Sequence, residues 1–106
     1  MKRLDLKNYT FSVKNQQGIN QLMNYDFKDI LIDVLTHTSL GLNAPELLEI
    51  NEVVEKIEKA DKEVILTDDD YQKIINICKR FRGFSKHNIQ LVKRIYNCPD
   101  IPDDVK

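Results

Sequence analysis

The chain opens with apolar and polar positions in alternation and then changes period. Over residues 3–13, Leu4 and Leu6 hold one phase while Tyr9, Phe11 and Val13 hold the other, the two-residue repeat of a half-buried strand. The slip between the phases at Lys7-Asn8 predicts a bulge. The polar loop KNQQG at 14–18, with Gly18 free to take a positive φ, predicts a hairpin into a second strand, Ile19–Tyr25. From Asp26 the period becomes helical, with Phe27, Ile30, Leu31, Val34 and Leu35 behind a capping carboxylate and Gly41 as a stop signal. Asn43, Pro45 and Glu46 then form a helix start, and Leu47, Ile50, Val53, Val54 and Ile57 give one stripe running to about Ala60.

The segment KEVIL, 62–66, reads as a third short strand, followed by a capping box of Thr67 and Asp70. The helix it starts turns Tyr71, Ile74, Ile75, Cys78 and Phe81 inward and stops at Gly83. Ser85 caps the last helix, whose expected buried side is Ile89, Val92, Ile95 and Tyr96, and Pro99 and Pro102 end it. The order is ββααβαα, an α+β fold in which an N-terminal β-hairpin and a third short strand make a small, mainly antiparallel sheet packed against about four helices. Residues 1–98 form a single domain and 99–106 a frayed C-terminal tail. A chain of 106 residues has room for one core, and 42% hydrophobic with 31% charged residues is the composition of a folded globule.

Charge divides the chain more sharply than composition does. Residues 44–70 carry net −7, and residues 71–98 carry net +7 without a single acid. The cations are Lys73, Lys79, Arg80, Arg82, Lys86, Lys93 and Arg94. Clustered Lys and Arg gain affinity for phosphates by counterion release, and helix, glycine-containing turn, helix is the outline of a helix-turn-helix. Lys86, Gln90, Lys93 and Asn97 recur at helical spacing on one stripe, where Gln and Asn can reach base edges. Against that reading, Lys79 and Arg82 fall where the motif wants small or apolar residues, and Phe84 is the only aromatic in the turn. The simpler alternative sets the acidic helix, with Glu49, Glu52, Glu55 and Glu58, beside the basic helices as a charge-balanced fold. The overall charge of −1 also disfavours long-range attraction to DNA.

Nothing in the chain carries a catalytic or metal-binding signature. Asp68-Asp69-Asp70 lacks the spacing and glycine of an EF-hand and suits the positive end of a helix dipole. His37 lies near Thr36, Thr38 and Ser39 but has no GxSxG-type turn around it. Cys78 fits a core position, and Cys98 falls at an exposed helix end; twenty residues apart and outside any CxxC, they predict neither zinc nor a redox pair. The expectations are no enzyme, no cofactor, no metal and a reducing compartment. The N-terminus has no apolar run of signal length, and no stretch approaches the roughly 20 residues of a membrane span, so a cytoplasmic location without membrane contact is expected. Leu40, Leu42, Ile101 and Val105 lie outside the helical stripes and are the expected exposed apolar patch.

The stretches LDLKNYTFSVKNQQG, YDFKDILIDVL, LGLNAPELLEINEVVEKIEKADKEVILTDDDYQKI and RGFSKHNIQLVKRI resemble a group of small phage and prophage proteins of about this length. That group shares an N-terminal hairpin, an LNA-ELL helix, an EV-L strand followed by acids, and a GF turn before a final LV-R helix. The resemblance covers most of the chain, carries no site residues, and implies a phage-encoded accessory protein in a bacterial cytoplasm that works by binding. The function expected is therefore a non-catalytic protein-interaction module for virion assembly or modulation of a host protein. Its contact surfaces are the basic set Lys79, Arg80, Arg82, Lys86, Gln90, Lys93 and Arg94 and the acidic set Glu49, Glu52, Glu55 and Glu58. Complementary faces also permit head-to-tail self-association. The alternative is nucleic-acid binding by segment 79–94.

Overall fold

The computed structural model describes residues 1–101. Its elements are β1 (Lys2–Asp5), β2 (Tyr9–Lys14), β3 (Asn20–Tyr25), α1 (Phe27–Leu35), α2 (Ala44–Lys59), β4 (Glu63–Leu66), α3 (Asp68–Arg80) and α4 (Ile89–Tyr96), with 3₁₀ turns at Thr38–Leu40 and Lys86–Asn88. Counting β1 and β2 as the one strand read in the sequence, the order is the expected ββααβαα and the class is α+β. The phase slip at Lys7-Asn8 is more than a bulge, because the chain changes sheet there. β1 pairs antiparallel with β4, Leu4 opposite Val64, whereas β2 pairs antiparallel with β3, Phe11 opposite Met23. The expected single sheet is thus two two-stranded ribbons. Their separation follows from the two phases: Leu4 and Leu6 are buried under the helices, while Tyr9, Phe11 and Val13 turn a half-buried face toward the start of α4.

Caps set the helix ends as the residue types predict. Asp26 accepts from the Asp29 N–H, and Asn43 with Glu46 and Thr67 with Asp70 close two capping boxes. Gly41, at φ 61°, ends the turn after α1 in the left-handed region that glycine enters without strain. Gly18, at φ 77°, does the same in the hairpin loop. The Lys28 ammonium donates to the carbonyls of Glu58 and Ala60, satisfying the end of α2.

The core gathers Phe27, Leu31 and Leu35 of α1, Ile50, Val53 and Ile57 of α2, Leu66 of β4 and Ile74 of α3. α3 is buried more widely than its stripe suggested, since Ile77 is covered along with Ile74, Ile75 and Cys78. Leu47, in contrast, is 44% exposed. The largest departure is in α4, where the buried residues are Leu91 and Ile95, continued by Cys98 beyond its end. Ile89 and Tyr96, expected inside, face out. Cys98 is buried, and its thiol donates to the Arg3 carbonyl at 3.0 Å. Leu40 is buried and Leu42 and Ile101 are half-buried, so the expected apolar patch is not formed by them; Val105 lies outside the described residues. Residues 99–101 are not frayed: Arg3 N–H donates to the Pro99 carbonyl and Ile101 N–H to the Met1 carbonyl, so they lie along the free edge of β1. Residues 102–106 of the expected tail lie outside the description.

Candidate interaction surface

The basic segment begins where α3 ends. Phe81 closes the helix and folds its ring back over Gly83, where a Cβ would lie 2.7 Å from the ring. Phe81 packs edge-on against both Phe84 and His37. Ser85 and Asn88 then close a capping box around the 3₁₀ turn that leads into α4. Residues 81–88 separate the two helices, a longer connection than the roughly 3–4 residues of a helix-turn-helix. The connection is held by the hairpin. Tyr9 donates its hydroxyl to the His87 carbonyl at 2.9 Å, Asn88 donates to the Tyr25 hydroxyl, and Phe11 stacks on His87 with centroids 4.5 Å apart. Tyr9 and Tyr25 stack on each other beneath these contacts, and burial pushes the Tyr9 phenol up to about 12, keeping it a neutral donor at any physiological pH.

The structure divides the expected basic set into two groups. Arg80 turns back to α2 and the 3₁₀ turn before it, donating to the Leu40 carbonyl at 2.7 Å and meeting Glu46 at 3.3 Å. Arg94 donates to the Lys7 carbonyl and lies over the rings of Phe27 and Tyr9, 4.7 and 5.2 Å from their centroids. These two serve the fold. Lys79, Arg82, Lys86 and Lys93 form no ion pair among the described residues and are exposed, as is Gln90. Lys86, Gln90, Lys93 and Asn97 do share an exposed stripe of the last helical segment. What the sequence reading missed lies beside that stripe: Ile89 is 50% exposed and Tyr96 47%. The signal was present, because Leu91, Ile95 and Cys98 form a second apolar stripe at spacings of four and three, as regular as the one preferred.

Among the described residues, ion pairs between helices join only α2 and α3, Lys56 with Asp70 and Arg80 with Glu46; a further pair lies within α3. Lys73 meets Asp69 at 3.2 Å, and its ammonium pKa is raised, first by that bond and then by the nearby Glu52 and Glu49. Glu49, Glu52, Glu55 and Glu58 are exposed along α2, with Asn51 donating to Glu55, and no ion pair joins any of the four to α4 among the described residues. The three consecutive aspartates point apart, Asp68 to the amino terminus at 3.3 Å, Asp69 to Lys73 and Asp70 to Lys56 at 2.5 Å. Burial pushes the Asp70 carboxyl up, but the Lys56 ammonium and the Thr67 N–H and hydroxyl outweigh it and hold the group below the ordinary carboxylate value.

No group of three or more His, Cys, Asp or Glu side chains among the described residues is placed to hold a metal ion. His37 Nδ1 lies 2.7 Å from the Ser39 hydroxyl and also accepts from the Ser39 N–H, a local turn contact on an exposed site. No described helix is long and apolar enough to cross a membrane. In comparison with known proteins, the chain matches no family model, no curated protein and no solved structure.

Proposed function

We propose that the chain is a non-catalytic interaction module that binds an acidic surface of a protein partner through the outer face of α4. The observation that carries this reading is the mixture on that face. Ile89 and Tyr96 stand half-exposed beside the stripe of Lys86, Gln90 and Lys93, on a segment without acids. Phosphate binding needs the cations alone, whereas a protein contact uses an aromatic and an aliphatic anchor inside a polar rim. The resemblance to small phage and prophage proteins supports an accessory role in a bacterial cytoplasm, in virion assembly or in modulating a host protein. A second reading, nucleic-acid binding, is favoured by one specific observation: Lys79, Arg82, Lys86 and Lys93 have no intramolecular acid to neutralise them among the described residues.

One pair of variants separates the two. A photo-crosslinking residue at 89 or 96 is expected to give one discrete protein adduct in extract of infected bacteria, lost in Lys86→Glu/Lys93→Glu. Labelled duplex and single-stranded DNA and RNA are expected to show no salt-sensitive binding at micromolar protein. Binding of nucleic acid that weakens steeply with salt, disappears in Lys86→Glu/Lys93→Glu and survives Tyr96→Ala assigns the face to phosphates instead.

A further inference from the structure

The hairpin carries a feature independent of α4. β3 is the outer strand of a two-stranded ribbon, and the Asn15 N–H donates to the Ile19 carbonyl at its loop end. Counting along the ladder from that bond, Gln21, Met23 and Tyr25 direct their backbone groups to β2, and Asn20, Leu22 and Asn24 direct theirs outward. No backbone partner from outside the hairpin meets that outward set among the described residues. Exposed edges are ordinarily blunted by charge, proline or a bulge. From Ile19 to Tyr25 the strand INQLMNY has none of these, and it displays Leu22, 77% exposed, and Ile19, 61% exposed. The ribbon's other edge is different, since Lys14 belongs to the outward set of β2; β4 carries Glu63.

We propose that β3 pairs antiparallel with β3 of a second copy of this chain, about a two-fold axis at Leu22, giving a four-stranded sheet across a dimer. The outward set reads Asn, Leu, Asn and is the same in both directions. Antiparallel pairing therefore sets Asn20 of each copy opposite Asn24 of the other and Leu22 opposite Leu22, so every outward N–H and C=O gains a partner and the two leucines cover each other. No like charges meet along the seam. The Lys14 end of each hairpin faces the Asp26 end of the other, whereas parallel pairing would align Lys14 with Lys14.

Sedimentation equilibrium of the intact protein over a range of concentrations tests this, with amide hydrogen exchange on the same samples. The expected result is a mass of two 12.4-kDa chains, with exchange at Asn20, Leu22 and Asn24 slowing as concentration rises while Gln21 and Met23 are protected throughout. Leu22→Lys, at a site too exposed to matter for folding, is expected to weaken association about tenfold or more by opposing two ammonium groups; Leu22→Val preserves it. Lys86→Glu/Lys93→Glu leaves the dimer intact, which separates this interface from the α4 face. A one-chain mass at every concentration, including one in which the edge binds an added peptide, overturns the proposal, as does a dimer that Leu22→Lys leaves unchanged.

Discussion

Asp70 shows how one side chain can serve a helix end and a tertiary contact together. It closes the capping box of α3 and holds Lys56 of α2 from a buried position. Because its folded pKa lies below the ordinary value, its contribution is present above about 3.9 and is lost as pH falls through the lower folded value. Asp70→Asn is expected to cost about 1–2 kcal/mol at neutral pH and to flatten the acid limb of the stability curve. Urea titrations at pH 7 and below pH 4 check both, and a variant as acid-sensitive as the parent would refute the assignment. The cysteines illustrate burial acting alone at Cys78 and, at Cys98, outweighing the opposing Lys2 ammonium. Burial raises the Cys78 thiol to about 11 and, as the first of its causes, also raises Cys98, so neither should react with a thiol reagent near neutral pH until urea unfolds the chain. Rapid labelling of the native protein would contradict this.

At the scale of elements, the orientation of α4 decides what the molecule displays. The helix carries two overlapping apolar stripes, and the fold buries the one containing Leu91 and Ile95 against β1. Leu91→Ala should therefore cost about 2–5 kcal/mol, while Ile89→Ala should fall within about 0.5 kcal/mol. Chemical denaturation of the two variants distinguishes the registers directly, and the reverse order of effects would mean the other stripe is inside. Arg94 fixes this orientation from the side. Its guanidinium bridges the Lys7 carbonyl and two aromatic faces, a combination that an ammonium does not reproduce, so Arg94→Lys is expected to be measurably less stable than the parent in the same titration.

For the whole molecule, the split of the first strand into β1 and β2 has the widest consequence. It lets one ribbon lie under the helices while the other extends along the connection between α3 and α4. The same split leaves β3 with an unpaired edge and places His87 and Asn88 under the hairpin rather than in solvent. Opposite charges are correspondingly sorted: Lys73 and Arg80 meet acids, while Lys86 of the 3₁₀ turn and Lys93 of α4 meet none among the described residues. Doubling the salt concentration should consequently alter stability little, since surface pairs of this kind contribute at most about 1 kcal/mol each.

Much of the architecture was legible along the chain because its determinants are local. The capping residues Asp26, Asn43 and Thr67, the glycines at the left-handed positions and the change from a two-residue to a helical period all act within a few residues of where they stand. These determined the element order and the α+β class. The partner of β1, the buried stripe of α4, the burial of Cys98 and the division of the cations into structural and exposed groups were decided only in three dimensions. Each depends on which surface arrives from elsewhere in the chain: β4 and residues 99–101 beside β1, the hairpin against His87, and Lys7 beneath Arg94. Both stripes of α4 recur at helical spacing, and only the surface that the helix meets selects between them.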